Sequence, residues 1–191
     1  MRTFVFFLEE PSAKEMLQGI LHRILPDDIF PHYVIFRGKQ DLEKNLKIKL
    51  RAWKLPNCSF VVMRDQDSGD CKEIKENLAN ICEEAGRKGV LIRIACHELE
   101  SFYLGDLAAV EKGLDLKGLE RKKEQRKFRD PDLLANPSEE MFKLTNNIYD
   151  KISGSRAIAP FLDLESNSSR SFNTLISGIK NLIIAERNDN N

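Results

Sequence analysis

Asp65, Asp67 and Asp70 stand within six positions of one another in "SFVVMRDQDSGD", directly after an apolar run. Carboxylates this close repel, and each raises the pKa of the next unless a positive charge sits between them. Two arrangements accommodate such a group. A solvated turn suits Asp, Ser and Gly, and a divalent cation held by carboxylates is the chemical alternative. Further acids follow two other apolar runs, Glu9 and Glu10 after "TFVFFL" and Glu98 and Glu100 in "CHELE" after "VLIRIA". Asp65 and Asp67 are two apart, so an extended backbone aims both the same way, and the same holds for Glu98 and Glu100 on extended chain. Oxygen-only donors suit Mg²⁺ or Mn²⁺ rather than zinc. An EF-hand loop starting at Asp65 is excluded, because Asp70 occupies the position that needs glycine and a strand precedes the loop where a helix is required. Cys96 and His97 suggest zinc, but no second such pair exists, so the sequence assigns them a structural role.

Four short apolar runs must position these acids: Thr3–Leu8, His32–Phe36, Ser59–Met63 and Val90–Ala95. They are nearly continuous rather than alternating, as expected for strands buried on both faces. Between them lie stretches with helical spacing, such as Met16, Leu17, Ile20 and Leu21, then Leu42, Leu46 and Leu50, then Ile74, Leu78 and Ile81. Strand–helix alternation predicts an α/β fold with about four parallel strands flanked by helices and joined by right-handed crossovers. In such a sheet binding groups gather at the carboxyl ends of the strands, which is where these acids fall. The texture changes after Glu100. Residues 1–105 read as the α/β core and 106–191 as a helical extension packed on it. Ser138 is the expected N-cap of a helix over Glu139–Leu144, a last helix spans Phe172–Ala185, and the tail 187–191 reads as disordered.

The 191 residues suffice for one well-cored domain, and 30 basic residues balance 30 acidic ones. No global field therefore advertises nucleic acid or membrane, and local charge must carry any such role. The densest positive run is Lys117–Arg129, with seven basic residues against two glutamates. It includes Lys122, Lys123, Arg126 and Lys127; Lys14 and Lys39 are scattered candidates for phosphate contact. A solvated helix face is the plainer role for such a run. The four cysteines show no C-x-x-C spacing and fit buried free thiols of a reducing compartment. The N-terminal apolar core is too short, and too soon acidic, for a signal peptide or membrane span, so a cytoplasmic protein is expected.

"FLEEPSAK", "VVMRDQD" and "ACHELESFYLGD", in this order, resemble the Toprim domain of topoisomerases, primases and overcoming-lysogenization-defect (OLD) nucleases. More closely, nearly the whole chain is similar to the small stand-alone Toprim-like family catalogued as domain of unknown function 4276. "FRGK", "DPDLLANPSEEMFKL" and "ISGSRAIAPFLDLESNSSRSFNTL" share in that likeness. The resemblance implies a Toprim-like Rossmannoid sheet with a helical C-terminal extension. It implies Glu9 as general acid or base and metal neighbour, Asp65 and Asp67 as metal ligands, and Glu98 or Glu100 as the acid completing the site. OLD-type domains place Gly after the first Glu and a second acid four residues beyond it; Glu10 and Ala13 stand there here. A second metal would need Glu10 or Glu15 as a replacement ligand.

Two functions follow as expectations. One is a Mg²⁺-dependent (or Mn²⁺-dependent) nuclease acting on DNA or RNA, with Glu9, Asp65, Asp67 and Glu100 catalytic. The resemblance adds a prokaryotic anti-phage defence role with a partner ATPase of the ABC/AAA type. The other is a non-catalytic, metal-binding module that docks on such an ATPase.

Overall fold

The first strand, β1 (Arg2–Leu8), carries five consecutive fully buried residues from Phe4 to Leu8. A strand buried on both faces belongs in the middle of a sheet, and the computed structural model, which describes residues 2–188 with side chains through 185, places it there. The sheet order is β2-β1-β3-β4, with β2 at Ile29–Ile35, β3 at Cys58–Asp65 and β4 at Leu91–Ala95. All pairings are parallel. The crossovers are α1 (Pro11–Leu21), α2 (Lys39–Ala52) and α3 (Cys71–Glu84). The α/β architecture expected from the sequence is thus observed.

Alternation along β1 feeds two apolar layers. Val5 and Phe7 pack with Leu42, Leu46 and Leu50 of α2 and with Leu78 and Cys82 of α3. Phe4, Phe6 and Leu8 pack with Met16, Leu17 and Ile20 of α1 and with residues from the second half of the chain. That half forms α4 (Glu100–Leu104), α5 (Leu107–Gly113), α6 (Arg126–Arg129), α7 (Pro137–Leu144), α8 (Lys151–Ile158) and α9 (Arg170–Asn188), with short 3₁₀ turns between. The turn after α8 presses on α1. A Cβ built on Gly19 would lie 2.5 Å from the Ala159 Cβ, so any larger side chain would force the two elements apart. Among the described residues no helix is long and apolar enough to cross a membrane.

The second strand departs from expectation. It begins at Ile29 rather than His32, ends before Phe36, and is half exposed instead of buried on both faces, because it is an edge. Pro31 explains how it can start so early. The Arg2 N–H donates to the Asp28 carbonyl and the Phe36 N–H to the Leu8 carbonyl, so even-numbered residues face β1 and odd-numbered ones face outward. The missing N–H of Pro31 therefore falls on the open side, where no ladder needs it. The last helix runs to Asn188, longer than expected; of the expected tail, 189–191 lie outside the described residues. The cysteines are free, but only Cys82 is buried, and Cys58, Cys71 and Cys96 are half-buried.

Candidate functional site

Register brings the strand ends together. Leu8 pairs with Met63 and Asp65 with Ala95, so Glu9, Asp65 and the loop after β4 share one end of the sheet. The Asp65 N–H donates to the Glu9 carboxylate (3.1 Å), fixing that side chain against β3. Asp67 does not follow Asp65. The strand ends at Asp65, and Asp67 has φ of 53°, a left-handed conformation that breaks the two-residue alternation. The expected common direction of the two carboxylates is thus lost. Asp65 is buried, whereas the half-exposed Asp67 pairs with Lys39 (2.7 Å) and lies 3.7 Å from Arg64. Asp70 leaves the group altogether, because it caps α3 by accepting from the Lys72 and Glu73 amides.

Glu98 and Glu100 also part company, since β4 ends at Ala95 and Glu100 opens α4. Glu98 accepts from the Ser138 N–H (2.7 Å) at the start of α7. Ser138 is therefore not the N-cap: Pro137 takes the first helical position and Asn136 precedes it. Glu100 is fully buried, accepts from the Tyr149 hydroxyl (2.9 Å) and lies 3.9 Å from the Lys151 ammonium. Its second oxygen, Oε2, is buried without a hydrogen-bond partner.

Burial, and then Glu10, Glu100 and Glu9, push the Asp65 carboxyl well above the usual carboxylate range. Burial likewise raises Glu9, against the opposing pull of the Asp65 amide and Arg64. It raises Glu100 too, opposed by Lys151 and Tyr149. Burial works against the charge of Lys151, but Glu100, Glu10, Asp65 and Glu98 together hold its ammonium above the ordinary lysine value. Arg64 is the second cation of the site and is only 4% exposed. Its Nε donates to the Asp65 carbonyl (2.9 Å), its Nη1 to Glu43 (2.5 Å), and it lies 3.8 Å from Glu9.

Among the described residues no three carboxylate, imidazole or thiolate side chains are spaced to hold a metal ion as they stand. The chemistry of the donors nevertheless fits a hard cation. They are oxygens only, they carry more negative charge than Arg64 and Lys151 offset, and the Glu100 Oε2 is left unpartnered.

Of the sequence-predicted cations, Lys39 alone pairs with an acid of this group, Asp67, among the described residues. Lys14 is 3.9 Å from Glu15, Lys123 pairs with Glu120 and Lys127 with Glu140. Lys122 and Arg126 make no ion pair among the described residues, and no ion pair joins the 117–129 run to Glu9, Asp65, Asp67 or Glu100. Cys96 packs near Asp132 and Ser171, and burial pushes its thiol up to about 11. Sequence reasoning passed over Arg64, Tyr149 and Lys151. A basic residue between Met63 and Asp65 in a buried strand was the available signal for the first; the other two lie about fifty residues beyond Glu100 with no local pattern.

Tyr149 owes its place to a glycine. A Cβ on Gly154 would lie 2.5 Å from the tyrosine ring. Gly154→Ala should therefore push Tyr149 off Glu100 and cost about 1–3 kcal/mol of stability. Tyr149→Phe, which removes only the hydroxyl, should cost about 1 kcal/mol. Urea unfolding of both variants checks the order, and an equal or smaller cost for Gly154→Ala would refute it.

The family described as Domain of unknown function (DUF4276) matches residues 8–180. Among solved structures, the C-terminal region of the Burkholderia pseudomallei OLD protein is similar, with 19% identity and a TM-score of 0.56. The alignment covers 94% of this chain and 98% of that one. At that identity the likeness speaks for the fold. No curated protein matches.

Proposed function

Since the chain belongs to the DUF4276 family, we propose that it is a divalent-metal-dependent phosphodiesterase, a nuclease acting on DNA or RNA, whose site is the acid cluster at the carboxyl ends of β1, β3 and β4. One observation carries this: Asp65 is buried among Glu9, Glu10 and Glu100, and one buried Glu100 oxygen has no partner. Such an arrangement is costly unless a cation compensates it. Glu9, Asp65 and Glu100 would hold Mg²⁺ or Mn²⁺, with Asp67 and Glu98 as further donors once freed of Lys39 and Ser138. The ion would polarise the scissile phosphate and stabilise charge on the leaving oxygen.

The protein's own groups do the rest. The Asp65 amide orients Glu9 against β3, with the Arg64 guanidinium 3.8 Å away. Glu9, whose pKa burial raises, is suited to hold and deliver a proton at the site. Lys151 offers positive charge to a phosphate oxygen. Lys14, Lys39, Lys122, Lys123, Arg126 and Lys127 supply backbone contacts that need only charge density. We place the activity in the cytoplasm, as the effector of a prokaryotic defence system with a partner ATPase.

A second proposal, a non-catalytic module docking on that ATPase, draws on Asp67 and Ala13. Asp67 is already neutralised by Lys39 and Arg64, and Ala13 is packed into the core where OLD-type domains carry an acid. The deciding experiment incubates purified protein with mixed DNA and RNA in Mg²⁺ or Mn²⁺, beside Asp67→Asn. Cleavage that EDTA abolishes and Asp67→Asn reduces at least tenfold is expected. No cleavage by wild type in either metal would leave the docking module as the better account.

A further inference from the structure

The sheet has a second edge, β4, and it is built differently from β2. The Gln66 N–H donates to the Ala95 carbonyl, so residues 91, 93 and 95 turn their backbone groups to β3 while 92, 94 and 96 turn theirs outward. Several outward groups are already used. The Ile92 carbonyl accepts from Arg93 Nη1 (2.8 Å), and the Cys96 N–H donates to the Ser171 hydroxyl (3.4 Å). Ile94 lies between them, and neither its N–H nor its carbonyl has a partner among the described residues. A cavity of about 370 Å³ opens on this edge, walled by Lys75 of α3, by Arg170 and Thr174 of α9 and by Leu133, with Ile92 and Ile94 along its floor.

The charges of this groove do not balance. Asp132 is consumed at the start of α9, where it accepts from the Ser171 N–H (2.7 Å) and the Ser169 hydroxyl (2.7 Å). Asp130 pairs with Arg170 (3.0 Å). Lys75 has no carboxylate partner among the described residues. Neither has Arg93, whose half-buried guanidinium is held only by the Thr174 and Ile92 carbonyls. The lining thus sets three cations, Lys75, Arg93 and Arg170, against two carboxylates, Asp130 and Asp132. An open strand edge beside this net positive charge suits an extended chain that brings carboxylates of its own.

We propose that this groove binds an extended acidic segment of a partner protein. The segment adds as a strand on β4, exchanging backbone hydrogen bonds with Ile94 and setting carboxylates against Lys75 and Arg93. Strand addition of this kind takes affinity from the main chain and specificity from alternate side chains. A segment covering Ile92 to Ile94 spans roughly 7 Å, at about 3.3 Å per residue, and it stops where Ser171 occupies the outward side of Cys96. The groove lies outside the acid cluster, so this proposal does not depend on any nuclease activity.

The test is fluorescence anisotropy with a labelled, capped hexapeptide alternating valine and glutamate. Wild type should bind it saturably, and Lys75→Glu should weaken binding about tenfold. Lys75 is exposed and makes no ion pair among the described residues, so this variant keeps the fold. The same peptide with lysine for glutamate should prefer the Lys75→Glu protein. N-methylation of the backbone groups facing β4 should abolish binding, and bound peptide should slow hydrogen exchange at the Ile94 amide. No binding by wild type at about 1 mM peptide, equal binding of the methylated peptide, or indifference to Lys75→Glu would each overturn the proposal. So would dimerisation through β4 that the peptide cannot displace.

Discussion

Replacing Asp65 with asparagine should make the metal-free protein more stable while lowering metal-dependent cleavage at least a hundredfold. The two effects have one cause. Asp65 is buried with Glu10, Glu100 and Glu9 around it, so its charged form is disfavoured in the native state. The native protein therefore keeps a proton that the unfolded chain gives up near the ordinary aspartate pKa of about 3.9. Stability from this group is present below that value and is lost as pH rises through the raised native value. Asparagine fills the same space without a charge, so its advantage over wild type should be small at about pH 4, near the unfolded value, and larger at pH 8, reaching about 1–3 kcal/mol. Urea unfolding in EDTA at both pH values measures the difference. Mg²⁺ should then stabilise wild type more than the variant, because the compensated charge is present only in wild type. A gap that narrows as pH rises, or a variant less stable than wild type at pH 8, would remove the physical basis of the metal proposal.

Arg64→Met should have the opposite effect on stability, with a loss of about 1–3 kcal/mol, the range for removing a buried group that holds charged and carbonyl acceptors, one of them the partly exposed Glu43. The guanidinium is almost wholly enclosed, and it joins the Asp65 carbonyl, Glu43 on α2 and Glu9. Removal leaves Glu9 with less to offset its burial, and the end of β3 loses its tie to α2. Arg64→Lys should recover less than half of the loss, because a lysine ammonium cannot reproduce a planar fork with three separate partners. Coupling to Glu9 can be read from a double-mutant cycle with Glu9→Gln, which should show an interaction well above 0.5 kcal/mol. A loss below about 1 kcal/mol for Arg64→Met would show that the buried pairs are not holding the site.

Much of this arrangement was legible before any coordinates. The continuous apolar runs located four strands, and the rule that parallel sheets gather groups at their carboxyl ends brought Glu9, Asp65 and Glu100 to one edge. What stayed hidden has particular causes. That β2 is an edge depends on strand order, which a run of apolar residues does not encode, and Pro31 looks like a breaker until its outward position is known. Asp67 turns away through one positive φ, and local spacing carries no sign of it. Ser138 has the residue type of an N-cap, but Pro137 takes the first helical position instead. Tyr149 and Lys151 join the site from beyond a long, irregular stretch, where periodicity says nothing about which face meets which.

The outward position of Pro31 also bears on stoichiometry. Open-ended assembly by sheet extension needs both borders of the sheet to accept a new strand, so that each added molecule offers a fresh border to the next. Here the N-terminal half of the β2 border lacks donors, because Pro31 has none and the Ile29 N–H is spent on the Pro26 carbonyl. Any chain that pairs with the far border therefore reaches a molecule whose other border offers outward donors only at Tyr33 and Ile35. Open-ended growth is thereby disfavoured, on the border where an exposed Phe30 and Ile35 would invite it.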